Sequence, residues 1–132
     1  MERASIRILV VEDFASFRQL IRSTLGKNPG LQVICEVFDG LEAVHKAEEL
    51  KPDLILLDIG LPTLNGIEAA RQIRQLAPDS KIIFLSQEFS AEVVEEALRL
   101  GAWDYVPKTR AGSDLLPAVE AVLSGKRFVS SK

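Results

Sequence analysis

Five times along this chain a short, β-rich apolar run gives way to an amphipathic stretch, and that alternation decides the fold class. The runs are IRILVV (Ile6–Val11), LQVICEVF (31–38), DLILLD (53–58), KIIFLS (Lys81–Ser86) and the short WDYVPK (103–108). Between them apolar residues recur at helical spacing. Phe17, Leu20, Ile21, Thr24 and Leu25 mark a first helix, and Leu41, Val44, Ala47 and Leu50 a second. Ile67, Ala70, Ile73 and Leu76 mark a third; Val93, Val94, Ala97, Leu98 and Leu100 a fourth; Leu115, Leu116, Val119, Val122 and Leu123 a fifth. Strands that are apolar almost throughout must be covered on both faces, which implies a parallel sheet with helices on each side. Right-handed crossovers then give a doubly wound α/β fold. Pro117 fits the fifth helix if Ser113 or Asp114 caps it, which puts the proline in or beside the first turn.

Bulk properties narrow the function. A chain of 132 residues, 47% apolar, suits one domain. A net charge of −3 argues against this segment gripping a phosphate backbone by itself. The single cysteine, Cys35, lies in an apolar run and reads as a small buried hydrophobe. With no disulfide available and no run long enough to span a membrane, a cytoplasmic location is the expectation. His45 stands on a charged helix among Lys46, Glu48 and Glu49 and reads as solvated.

In an open α/β sheet the functional crevice lies beyond the carboxyl ends of the strands. Here the first strand ends in Glu12-Asp13, the third in Asp58, the fourth in Ser86 and the fifth in Lys108. Each has an ordinary alternative: Glu12-Asp13 a helix cap, Ser86 a turn residue, Lys108 a solvated charge. Their convergence on one rim is what makes them specific. Carboxylates crowded together repel, and a hard divalent ion such as Mg²⁺ resolves the conflict. Phosphoryl transfer needs such an ion, an in-line nucleophile and a positive charge on the phosphoryl oxygens. Asp58 can be the nucleophile, Lys108 the charge and Ser86 a donor.

At these residues the chain resembles the receiver domain of two-component response regulators, of the kind joined to a helix-turn-helix output domain. The resemblance rests on VVED, LLDIGLPTLNGIEAA, IIFLS and LRLGAWDYVPK, in that order and spacing, and covers nearly the whole chain. It implies a flavodoxin-like (βα)5 fold with strand order 2-1-3-4-5. It also implies that Asp58 accepts a phosphoryl group from a histidine kinase or phosphotransfer protein. Asp13, Asp58 and the Gly60 carbonyl would hold Mg²⁺, with Glu12 acting through water. Ser86 and Lys108 would contact the phosphoryl group, and Tyr105 would be the aromatic switch, entering space that Ser86 vacates. The surface of the fourth helix, fifth strand and fifth helix would then repack, as the candidate face for a phosphorylation-dependent homodimer or partner, with the first and fifth helices as the competing dimer face. Residues 1–126 would form the receiver domain and 127–132 the start of a linker or C-terminal tail. DNA would be reached only through an output domain absent from this chain, and no membrane partner is implied. The domain would catalyse only its own phosphorylation and dephosphorylation.

Three positions depart from the usual family pattern. Gly60 stands where a larger side chain is often found, opening the pocket mouth; Gln87 follows Ser86 where a small residue is common; Thr109 replaces a frequent proline after Lys108. Without proline a trans bond is expected there. The competing functions fit less well. A haloacid-dehalogenase-type phosphatase needs a second acid at the position of Gly60. A flavodoxin-like cofactor binder needs a Ser-, Thr- and Gly-rich loop where this chain has EDFASFRQ. A receiver-like interaction module that is never phosphorylated has no use for both Asp58 and Lys108. A stand-alone receiver acting by protein docking is the alternative to a transcriptional output.

Overall fold

The computed structural model describes residues 5–61, 63–87, 91–99, 101–102 and 104–126. Trp103, Leu100 and the expected linker at 127–132 lie outside them. Strands β1 (Ile6–Val11), β2 (Leu31–Val37), β3 (Leu54–Asp58), β4 (Lys81–Ser86) and β5 (Asp104–Pro107) alternate with helices α1 (Ala15–Leu25), α2 (Gly40–Leu50), α3 (Gly66–Leu76), α4 (Ala91–Arg99) and α5 (Ala111–Leu123). The sheet is parallel, as the apolar strands predict, and its order is β2-β1-β3-β4-β5, as the resemblance implies.

The period-2 alternation of each strand sorts the core into two apolar layers. Leu9, Val11, Ile55, Leu57, Ile82, Phe84 and Tyr105 face α2, α3 and α4. Ile8, Val10, Leu54, Leu56, Ile83, Leu85 and Val106 face α1 and α5. Every residue of β3 is buried, because it is the central strand and is covered on both sides. Each fully buried leucine or isoleucine there contributes about 1.5–3 kcal/mol. Cys35 packs against the first layer as a small hydrophobe, but it is half-buried rather than buried as expected.

The helices follow the apolar pattern with shifted edges. Leu20, Leu41 and Leu98 are exposed, and α2 seats itself instead through Ala43, Val44 and Ala47. The second strand ends at Val37, leaving Phe38 half-exposed. Lys108 closes β5 by starting a 3₁₀ turn, Lys108–Arg110, that runs directly into α5. This early start corrects the expected capping: α5 has Arg110 at its N-cap with no side-chain cap, so Pro117 is an interior residue of the helix. Pro117 is exposed and lacks the amide that would pair with the Ser113 carbonyl.

Two close approaches set the top of the sheet. The Ile59 amide donates to the Leu85 carbonyl at 3.0 Å, and the Gly66 amide donates to the Ile59 carbonyl at 2.8 Å, folding the β3–α3 connection back over the strand end. A Cβ on Gly66 would lie 2.2 Å from the Asp58 carbonyl oxygen, so only glycine fits. A Cβ on Gly60 would meet nothing within 4 Å. Gly66→Ala is therefore expected to lower stability by about 1–3 kcal/mol, and Gly60→Ala to change it by no more than about 0.5 kcal/mol. Urea denaturation of the two variants checks the contrast, and equal effects would contradict the packing described.

Candidate functional site

The sheet delivers its polar residues to one end. One backbone bond continues the ladder past β1, from the Glu12 amide to the Val37 carbonyl at 3.0 Å, and fixes Glu12 at the rim. Glu12 and Asp58 are buried there, Asp13 is on the more open side, and carboxylate oxygens of all three lie within 4.8 Å of one another. The capping alternative for Glu12-Asp13 does not hold, since the N-cap of α1 is Phe14 and no side chain caps that helix.

One ammonium ties the cluster together. Lys108 Nζ donates to Glu12 Oε2 at 2.9 Å and to Asp58 Oδ2 at 3.3 Å, and its side chain is only 7% exposed. Asp58 Oδ1 accepts from the Gly60 amide at 3.2 Å, and Glu12 Oε2 also accepts from the Phe14 amide at 3.1 Å. Nζ lies near Glu12 Oε1 as well, yet that oxygen receives no directed hydrogen bond. Glu12 Oε1 and Asp13 Oδ1 are the two buried side-chain atoms left without a hydrogen-bond partner among the described residues. Orphaned acceptors on neighbouring carboxylates fit a hard, oxygen-seeking cation.

Burial pushes the Glu12 carboxyl above its ordinary range; the Lys108 hydrogen bond opposes this, the Asp58 charge adds to it, and the Phe14 amide and Lys108 charge oppose it further.

Beside the cluster lies an open cavity of about 260 Å³ lined by Phe14, Asp58, Ile59, Gly60, Ser86, Gln87 and Lys108. The structure thus brings together Glu12, Asp13, Asp58, Gly60, Ser86 and Lys108. Gln87 is exposed and forms part of the cavity wall, and no cis peptide occurs among the described residues, so the bond to Thr109 is trans. Tyr105 is not at the cavity. It pairs with Phe84, two residues before Ser86, and its ring is buried in the layer facing α4. His45 is exposed on α2, as its charged surroundings suggest.

Three residues at the site escaped the sequence reading. Phe14 and Phe17 place their rings 5.1 and 4.9 Å from Lys108 Nζ, and Arg18 donates to the Glu12 carbonyl at 3.1 Å while stacking over Phe38. The available signal was Phe14 itself, an apolar residue where a capping side chain is favoured.

The family model "Response regulator receiver domain" matches residues 8–120. A protein-glutamate methylesterase/protein-glutamine glutaminase of Thermotoga maritima is 44% identical over 112 residues, covering 83% of this chain and 32% of that protein. Transcriptional regulatory protein DegU of Brevibacillus brevis is 34% identical over 127 residues, covering 96% of this chain and 54% of that protein. The chain therefore spans between a third and about half of the length of these curated relatives. A crystal structure of a LuxR-family two-component response regulator from Aurantimonas sp. SI85-9A1 is similar with a TM-score of 0.90 at 33% identity, covering 96% of this chain and 91% of that one.

The raised Glu12 pKa has a signed consequence for metal-free protein. Below the ordinary carboxylate pKa Glu12 is neutral in both folded and unfolded states, and its burial is harmless. As pH rises toward the folded value, the unfolded chain ionises more readily, so this contribution to stability is lost. Glu12→Gln removes the titration, so its melting temperature relative to the original chain should rise between pH 4.5 and pH 8 in chelator. A difference that falls over that interval would contradict the burial effect.

Proposed function

From the premise that this chain belongs to the response regulator receiver domain family, we propose that Asp58 is its phosphoacceptor. The observation that carries the reading is that Asp58, Lys108 and two partnerless acid oxygens meet beside one open cavity. A carboxylate oxygen of Asp58 attacks the phosphorus of a phosphohistidine on a sensor histidine kinase or phosphotransfer protein. The P–O bond forms as the P–N bond breaks, and the leaving imidazole keeps the electron pair and takes up a proton.

The donor set fits Mg²⁺: Asp13, Asp58 and the Gly60 carbonyl would hold it, with Glu12 acting through water. When bound, Mg²⁺ neutralises charge on the phosphoryl oxygens. Lys108 supplies a positive charge already aimed at Asp58 Oδ2. Ser86, at the cavity wall, is the hydroxyl donor to the phosphoryl group. It shares its strand parity with Phe84, so Ser86 and Tyr105 lie on the same side of the sheet, toward α4. Tyr105 is 4% exposed on that side of the sheet, within reach of the space that an inward shift of Ser86 would vacate.

The domain, residues 1–126, catalyses only its own phosphorylation and dephosphorylation and works in the cytoplasm. Among the described residues no helix is long and apolar enough to cross a membrane. A transcriptional output is supported by the match to a transcriptional regulatory protein over 96% of this chain, with DNA reached through another domain. The α4–β5–α5 surface is the candidate face for a phosphorylation-dependent homodimer.

Acetyl phosphate with Mg²⁺ is expected to add one phosphoryl group, read by intact mass, and Asp58→Asn to abolish it. Stable phosphorylation of that variant would defeat the assignment. Ser86→Ala should still accept the group while losing much of the wild-type response to beryllofluoride. That response is read by hydrogen exchange across residues 87–106, and protection changes confined to the loops around Asp58 in the original chain would rule out the Ser86–Tyr105 relay.

A further inference from the structure

We propose that Phe14 and Phe17 are positioning residues for Lys108, two aromatic faces that hold its ammonium against the acidic cluster. An ammonium has three donors, and those of Lys108 face two carboxylates, Glu12 and Asp58. On its remaining side stand the rings of Phe14 at 5.1 Å and Phe17 at 4.9 Å from Nζ, both inside the range of a cation–π attraction. The lysine side chain is 7% exposed, so water screens these attractions little.

Packing accounts for Phe17, which lies against the apolar layer under α1 and α5. It does not account for Phe14. That residue sits at the N-cap of α1, where Ser, Thr, Asp or Asn would stabilise the helix by about 1 kcal/mol. Its ring is half exposed. A local rule broken without gain in the core points to the site. Phe14 also donates its amide to Glu12 Oε2, so one residue touches both members of the Glu12–Lys108 pair. A ring face attracts a cation without offering a competing lone pair, and the attraction is broad in direction. The clamp therefore keeps Lys108 in the cluster yet lets it follow charge gained at Asp58. The kinetic consequence rests on Asp58 being the phosphoacceptor; the position of the ammonium does not.

Two measurements on the whole chain separate these. In metal-free protein with labelled lysine, ring currents should shift the Lys108 Hε resonances upfield. Phe14→Leu and Phe17→Leu should each relax that shift, and Phe14→Tyr should restore it. An unshifted Lys108, or one indifferent to both leucine variants, overturns the clamp. With acetyl phosphate and Mg²⁺, mono-, di- and trifluorinated phenylalanine at positions 14 and 17 should slow phosphorylation stepwise, by roughly two- to tenfold in total. These analogues weaken the ring's negative face with little change of shape, so a flat series overturns the positioning role. A wild-type chain that takes no phosphoryl group defeats the Asp58 reading, and the resonance shifts then decide the clamp by themselves.

Discussion

Lys108 reaches both buried carboxylates of the cluster, at 2.9 Å from Glu12 and 3.3 Å from Asp58, and the arrangement at the rim depends on that bridge. Without it, two acids taken out of water would repel across a short gap. With it, the cluster is still weak ground for stability, because desolvating such charges can cost as much as their attraction returns. Burial raising the Glu12 pKa runs in the direction of that cost. Stability comes from elsewhere, namely the two apolar layers on either face of the sheet, which contain none of these acids. The molecule separates the two tasks along the strand axis: apolar packing along the strands, charge at their carboxyl ends.

This separation explains why so much was legible in the sequence. A central parallel strand buried on both faces has to be apolar throughout, so a carboxylate at its end, as in LILLD, stands out against the run before it. The same contrast located Glu12-Asp13, Ser86 and Lys108. Helix edges were less legible because a helix buries a stripe, and periodicity does not say where the stripe stops. Leu41 carries the right spacing and is exposed, whereas Ala43 is buried in the apolar layer that α2 and α3 share. The start of α5 was misplaced for a related reason: a 3₁₀ turn needs no capping side chain, so nothing in the residue types marks it. Phe14 was invisible as a site residue because its partner, Lys108, is distant in sequence and only the closed sheet brings them together.

Backbone geometry hid the remaining part. Gly66 reads in the sequence as an ordinary residue at a helix start, yet its missing side chain admits the Asp58 carbonyl and lets the β3–α3 connection fold back on the strand. Gly40 does the same against the Leu64 carbonyl, where a Cβ would lie 1.7 Å from the oxygen. Thr63, in the same β3–α3 connection, takes a left-handed conformation at φ 69, which a β-branched residue adopts only under constraint from its surroundings. These features shape the connection that leaves Asp58, and none of them is a property of side-chain chemistry that periodicity could reveal.

On the phosphoacceptor reading, the site also constrains how a signal could leave. Ser86 ends β4 on the side of the sheet that faces α4, where Tyr105 packs. Lys108 belongs to a turn of three residues that becomes α5 at the fully buried Ala111. A displacement of Lys108 therefore has almost no slack before it reaches α5, whose packing anchors the opposite side of the sheet. A phosphoryl group on Asp58 would engage both residues at once, one toward each face. Since a ligand moves an equilibrium only by its differential affinity for the two states, the strength of the response depends on how firmly Lys108 is held before phosphorylation. The ring faces add to that hold without supplying acceptors, so they do not compete with the phosphoryl oxygens for the donors that Lys108 now gives to Glu12 and Asp58.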